Sequence, residues 1–214
     1  MKNWINLYLQ EVLDENRLKL LPYFPKVRDL WFYLAWWTWL ALQLWHRQSI
    51  DFDFFVKWSF DENKLFTDVA KIFSSENILK TFSEKNTLYI QVNNVKVSFF
   101  WYDYDLIWKK VETDYFDIAS IEDIWAMKLR ALQKRAMMKD YVDLYYILQQ
   151  VNLAKLINAF FKKYGKVISE YLLLKSLIYF DDVRKENIYF VDKQMTFEKV
   201  KNWLKQIVRD YEKW

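Results

Sequence analysis

The 214-residue chain carries 32 Lys and Arg against 28 Asp and Glu, with one His and no Cys, for a formal charge of +4 at pH 7. Disulfide scaffolds, thiol catalysis, thiolate zinc sites and histidine-rich metal sites are excluded, so a metal here has to be a hard ion such as magnesium held by carboxylates. Acids and bases are interspersed, a balance that tolerates a nucleotide or RNA partner without demanding one.

The N-terminal stretch MKNWINLYLQEVLDENRLKLL keeps charges within its apolar pattern and has no small-residue cleavage site, so it does not read as a signal peptide and a cytoplasmic location is expected. Its apolar positions Trp4, Ile5, Leu7, Leu9, Val12 and Leu13 predict an amphipathic helix over 3–21, ended by Pro22 and Pro25. WFYLA at 31–35 reads as a short strand, LALQL at 40–44 as helical, and IDFDFFV at 50–56 as an alternating strand. A helix is expected over 63–73. TLYIQV (87–92) and VKVSFFWY (95–102), joined by Asn93-Asn94, predict a hairpin.

Beyond about residue 119 the strand signal stops. SIEDIWAMKLRALQKR, KDYVDLYYILQQ, LAKLINAFFKKYG, ISEYLLLKSLIYF and FEKVKNWLKQIVRDYEKW all show three-to-four spacing, and Ser120 with Asp123 makes a capping-box-like start for the first. A mixed α/β half, 1–118, is therefore followed by a helical half, 119–214, with no Pro/Gly/Ser-rich linker between them, and the two are expected to pack as one compact α+β unit.

Asp51 and Asp53 stand two apart on an expected strand, so both carboxylates point to one face and can share a cation. Two such groups suit a magnesium ion that holds a nucleoside triphosphate. Ahead of them, 31–45 is crowded with tryptophan. Fifteen residues with Thr38 and Gln43 inside fall short of the roughly 20 that span a bilayer, and basic neighbours are too sparse for a nucleic-acid stacking surface. His46 has no Ser or Cys motif with which to form a triad and reads as a packed or helix-end histidine.

Glycine occurs once and tryptophan 12 times, whereas about 7% glycine, roughly 15 residues, is ordinary. With glycine written at 36, 37, 39 and 45, the stretch becomes LAGGTGLALQLGHRQSIDFDFF. In that form it resembles the nucleotide-binding signature of the DNA polymerase β-like nucleotidyltransferases and, within them, the AbiEii/AbiGii toxin family: a Gly-Gly/Ser turn after a strand, a helix, then Asp-x-Asp. Residues 118–148, with Trp125 where a small residue is usual, and 162–183 resemble later blocks of the same family, so the likeness runs from about 28 to 185. The pattern implies a reading frame from a genome in which UGA encodes glycine, translated with a table in which it encodes tryptophan; Trp31, Trp39, Trp101, Trp108 and Trp125 belong with Trp36, Trp37 and Trp45.

The resemblance implies a nucleotidyltransferase fold, a small mixed sheet with flanking helices, followed by a C-terminal helical bundle. It implies transfer of a nucleotidyl group from an NTP to an acceptor hydroxyl such as an RNA or tRNA end, in a type IV toxin–antitoxin or phage-defence system with a cognate antitoxin. Asp51 and Asp53 would hold magnesium. The backbone at Trp36, Trp37 and Thr38 would cradle phosphates, and Arg47 would neutralise phosphate charge or orient an aspartate. Lys128 and Lys139 match positions read as triphosphate contacts, Asp140 an orienting partner, and Asp143 is placed to pair with Lys139. One departure is Ser98, which stands where relatives place a third carboxylate; Asp103 and Asp105 are the alternatives. That departure, with the literal Trp36-Trp37, keeps open a catalytically inactive nucleotide- or protein-binding module with the same fold.

Overall fold

The computed structural model describes residues 13–35, 51–184, 188, 190 and 192–211. The chain divides into two compact units that part between Ser120 and Ile121. The α+β architecture expected from the sequence is present, as a seven-stranded mixed sheet with helices.

The first unit begins with a short helix, α1 (Glu15–Leu18), whose first turn is capped by the Asp14 carboxylate accepting from the Arg17 amide. Residues 3–12 of the expected opening helix lie outside the described residues, and its described part ends at Leu18, ahead of both prolines. Pro22 sits in the first turn of a 3-10 segment, Leu21–Tyr23, and Pro25 in the first turn of α2 (Phe24–Asp29), positions whose amides have no intrahelical partner to lose. The strands are β1 (Tyr33–Leu34), β2 (Asp51–Val56), β3 (Ile78–Glu84), β4 (Thr87–Val92), β5 (Val95–Trp101), β6 (Val111–Glu112) and β7 (Asp117–Ile118), with α3 (Glu62–Ile72) between β2 and β3. Their spatial order is β3-β4-β5-β2-β1-β7-β6. β2 runs parallel to β5 and β1 parallel to β7; the remaining neighbours are antiparallel.

One face of this sheet is closed by α2 and α3. Phe24, with no exposed surface, meets Phe52 and Phe54 edge-on at centroid distances of 4.7 and 5.1 Å. Val69 and Phe73 add to the same apolar layer. α3 starts at Asp61, whose carboxylate accepts from the Lys64 amide at 2.7 Å, the arrangement that satisfies an otherwise orphan donor. The expected hairpin turn is present: Asn93 and Asn94 have φ of 49° and 67°, both in the left-handed region that a two-residue turn requires and that asparagine tolerates. Trp31 also lies there, at φ 70°, with 72% of its surface exposed.

The second unit contains all five expected helices: α4 (Ile121–Arg135), α5 (Met138–Gln150), α6 (Leu153–Tyr164), α7 (Glu170–Ile178) and α8 (Phe197–Tyr211). Helix α4 packs against α5, α6 and α7, while α8 packs against α5, α6 and α7. The apolar stripe of α8 is clean: Val200, Leu204 and Val208, each four residues apart, are buried. Asn152 caps α6, accepting from the Lys155 amide at 2.9 Å, and Gly165 ends that helix at φ 66°. Among the described residues no helix is long and apolar enough to cross a membrane.

Candidate active site

Strand alternation sorts β2 into two sets. Phe52, Phe54 and Val56 face the helix-covered side, whereas Asp51, Asp53 and Phe55 face the other. Asp53 is 7% exposed and Asp51 half-buried. In the parallel register with β5, Asp51 stands beside Lys96, Asp53 beside Ser98 and Phe55 beside Phe100. Ser98, itself 7% exposed, thus occupies the inward place on the neighbouring strand that the sequence assigned to it.

Asp103 and Asp105 do not supply a third acid to the pair. Both are exposed, Asp105 is bonded to Lys57, and among the described residues no three Asp, Glu, His or Cys side chains gather in an arrangement that could hold a metal. The chemistry of the donors present, two carboxylates on one strand face, fits a hard divalent ion that keeps several waters and binds a substrate through its phosphates. Of the other residues assigned from the sequence, Trp36, Trp37, Thr38, His46 and Arg47 lie outside the described residues.

The second unit has its own buried charges. Lys128 of α4 lies 2.8 Å from an Asp143 oxygen and 4.0 Å from Asp140, both on α5, and all three side chains have no exposed surface. Arg135 holds Asp140 with two parallel bonds, Nε to Oδ2 and a terminal nitrogen to Oδ1, each 3.0 Å, the planar fork that a guanidinium offers a carboxylate. Asp123 and Lys163 form a second buried ion pair at 2.6 Å, joining α4 to α6. Beside Asp140, Tyr141 donates to the Tyr179 carbonyl, and burial together with the Asp140 charge pushes its pKa up to about 12.

Sequence reasoning named Lys128, Asp140 and Asp143 but missed the Arg135 fork and the Asp123–Lys163 pair. A signal for such groups exists, since Ile124, Lys128 and Leu132 are spaced by four and all buried, so the lysine falls on the apolar stripe of its helix. A lone charge there has to find a countercharge on a neighbouring helix. Lys139 sits on the first turn of α5, half-buried.

The family model of the nucleotidyl transferase AbiEii toxins of type IV toxin–antitoxin systems matches residues 38–212. The chain belongs to this AbiEii family. Within the curated proteins, it is 32% identical over 189 residues to the uncharacterized protein aq_aa25 of Aquifex aeolicus (strain VF5), covering 84% of this chain and 87% of that protein. Among solved structures it resembles MenT4, the nucleotidyltransferase toxin Rv2826c of Mycobacterium tuberculosis H37Rv, at a TM-score of 0.56 and 13% identity over 84% of this chain and 75% of that one. JHP933 of Helicobacter pylori matches at a TM-score of 0.52 and 18% identity, over 94% of this chain and 95% of that one. At such identities these two likenesses establish the nucleotidyltransferase fold. Family and fold together make this AbiEii chain a transferase of the nucleotidyltransferase toxin type.

Proposed function

We propose that this AbiEii chain joins a nucleotidyl group from an NTP to the hydroxyl of an RNA acceptor, such as a tRNA end, as the toxin of a type IV toxin–antitoxin or phage-defence system working in the cytoplasm. The observation that carries this reading is the placement of Asp51 and Asp53 on one face of β2, beside Lys96 and Ser98. Residues 1–118 serve as the nucleotidyltransferase core and 119–214 as its helical region, and a cognate antitoxin is the expected protein partner.

In the reaction the acceptor oxygen attacks the α-phosphorus of the NTP, the bond to the β-phosphate oxygen breaks, and pyrophosphate leaves with the bonding electron pair. The acceptor hydroxyl proton passes to a carboxylate or to solvent. Asp51 and Asp53 would hold a hard divalent ion such as magnesium, which would supply positive charge where the phosphates accumulate negative charge. The backbone of Trp36, Trp37 and Thr38 and the Arg47 guanidinium take the phosphates; Lys128, Lys139 and Asp140 match the family's charged positions, but Lys128 and Asp140 are fully buried in ion pairs of the helical unit and act there as positioning groups.

A labelled-NTP incorporation assay on candidate RNAs, with magnesium present, tests the reading. The chain with glycine at 36 and 37 is expected to label an acceptor, and its D51A/D53A variant to lose at least roughly a hundredfold. A second reading, an inactive nucleotide- or protein-binding module, is supported by Ser98 in the third-acid position. It gains if D51A/D53A leaves NTP binding intact and no RNA is labelled by any form.

A further inference from the structure

The face of β2 that carries the two aspartates continues across three further strands. Register aligns Asp51 with Lys96, Gln91 and Leu79, and Asp53 with Ser98, Tyr89 and Phe82. Three strand spacings of about 4.8 Å, roughly 14 Å in all, lead from Asp53 to Phe82. Along this path the surface opens. Asp53 and Ser98 are 7% exposed, whereas Phe82 is 46% and Leu79 58% exposed on the edge strand β3. Lys96, which is exposed, stands between the acids and the apolar end.

The aromatic rings on this face form a continuous ladder. Phe82 stacks on Tyr89 at 5.4 Å, Tyr89 meets Phe100 edge-on at 5.6 Å, and Phe100 stacks on Phe55 at 5.1 Å. The inner rungs are held by the core, so the outer ones are preset rather than free to turn away. An exposed phenylalanine and leucine on an edge strand are a hazard to an isolated protein, which gives them the character of a surface kept for a partner.

We propose that this strip is the acceptor site: single-stranded RNA lies along it, bases stacked on Tyr89 and Phe82 and a phosphate against Lys96, which carries the strand end toward Asp51 and Asp53. The proposal rests on the nucleotidyl-transfer reading and names where that acceptor sits. Nucleic acid is the occupant favoured here because the strip combines preset π-faces with a cation and is continuous with the carboxylate pair that an acceptor hydroxyl has to reach.

The test is an anisotropy titration of a short end-labelled oligoribonucleotide with the full chain in the absence of NTP, repeated for Phe82→Ala, Phe82→Leu, Phe82→Trp and Lys96→Gln, with incorporation kinetics measured beside it. Alanine and leucine at 82 are expected to weaken RNA binding about tenfold, and tryptophan to preserve it. Lys96→Gln should lower the slope of log affinity against log salt by about 0.7, and KM for the NTP should not move in the Phe82 variants. Wild-type affinity in Phe82→Leu, or no RNA binding by the parent chain, overturns the proposal. So does self-association through β3, read by sedimentation, that Phe82→Ala abolishes without changing RNA affinity. Phe82-dependent binding without incorporation removes the transfer reading and leaves the strip; incorporation with Phe82-independent binding does the reverse. Melting curves confirm that each variant is folded.

Discussion

Lys128 Nζ lies 2.8 Å from the Asp143 carboxylate, and neither side chain has any exposed surface. The Coulombic gain of such a pair is set against the cost of removing both charges from water, so its presence is a weak argument for stability while its disruption is severe. Lys128→Met leaves Asp143 buried without the Lys128 charge and is expected to cost about 3–5 kcal/mol. The double variant K128M/D143L should lose clearly less than K128M alone. Urea unfolding of both proteins checks this, and equal losses would show that the two residues are not energetically coupled.

Ser98 stands beside Asp53 in the register of β2 and β5. An aspartate there would add a third carboxylate to the same face. Ligand charge count sets the affinity of carboxylate sites for hard divalent ions, so Ser98→Asp is expected to bind manganese or magnesium roughly tenfold more tightly. Isothermal titration with each metal measures it. Metal affinity that S98D leaves unchanged would separate Ser98 from the site.

Much of this arrangement was legible before any coordinates. The five helices beyond Ser120 declare themselves because their apolar residues recur at three-to-four spacing, and the Asn93-Asn94 turn because asparagine accepts positive φ. Strand β3 was missed for a physical reason: six of its seven residues are exposed, and a register shift between Lys80 and Phe82 breaks its alternation. Its apolar side chains serve a surface rather than the core, so burial periodicity had nothing to report. Asp51 and Asp53 were singled out from their spacing together with the family resemblance, and β2 puts both on one face. The Arg135–Asp140 fork and the Asp123–Lys163 pair depend on which helix faces pack together, and helical spacing within one element does not carry that information.

Tyr141 bears on alkaline stability. Its pKa is raised from 10.0 to about 12, chiefly by burial and then by the Asp140 and Asp182 charges. A folded state that holds its proton more tightly than the unfolded chain keeps this contribution in full below pH 10 and loses it as the pH climbs to about 12. The loss is on the order of 2 kcal/mol across that window. Tyr141→Phe should cost about 1 kcal/mol at neutral pH, through the bond to the Tyr179 carbonyl, yet fall less steeply than the parent between these two values. Urea midpoints taken across the range supply the comparison, and parallel curves would contradict it.

The sharpest local conflict between sequence and backbone is at Trp31. Helix α2 ends at Asp29, Leu30 is its C-cap, and Trp31 follows in the left-handed region at φ 70° with its amide bonded to the Arg28 carbonyl at 2.8 Å. This is the position after a helix end at which glycine is preferred, because a Cβ there crowds the backbone by about 1–2 kcal/mol. The chain's one glycine, Gly165, also follows a helix end at positive φ, as the C-cap of α6 at 66°. Tryptophan at 31 gains little in return, since 72% of its surface is exposed. Trp31→Gly is therefore expected to stabilise the protein by about 1 kcal/mol, or roughly 2–4 °C in Tm, and Trp31→Ala by less, because alanine keeps the Cβ. Calorimetry on the two variants decides between a steric cause and the mere removal of an exposed indole: an alanine variant as stable as the glycine one would exclude the former. The same conflict agrees with a glycine codon read as tryptophan, and a UGG codon at position 31 would refute that origin there.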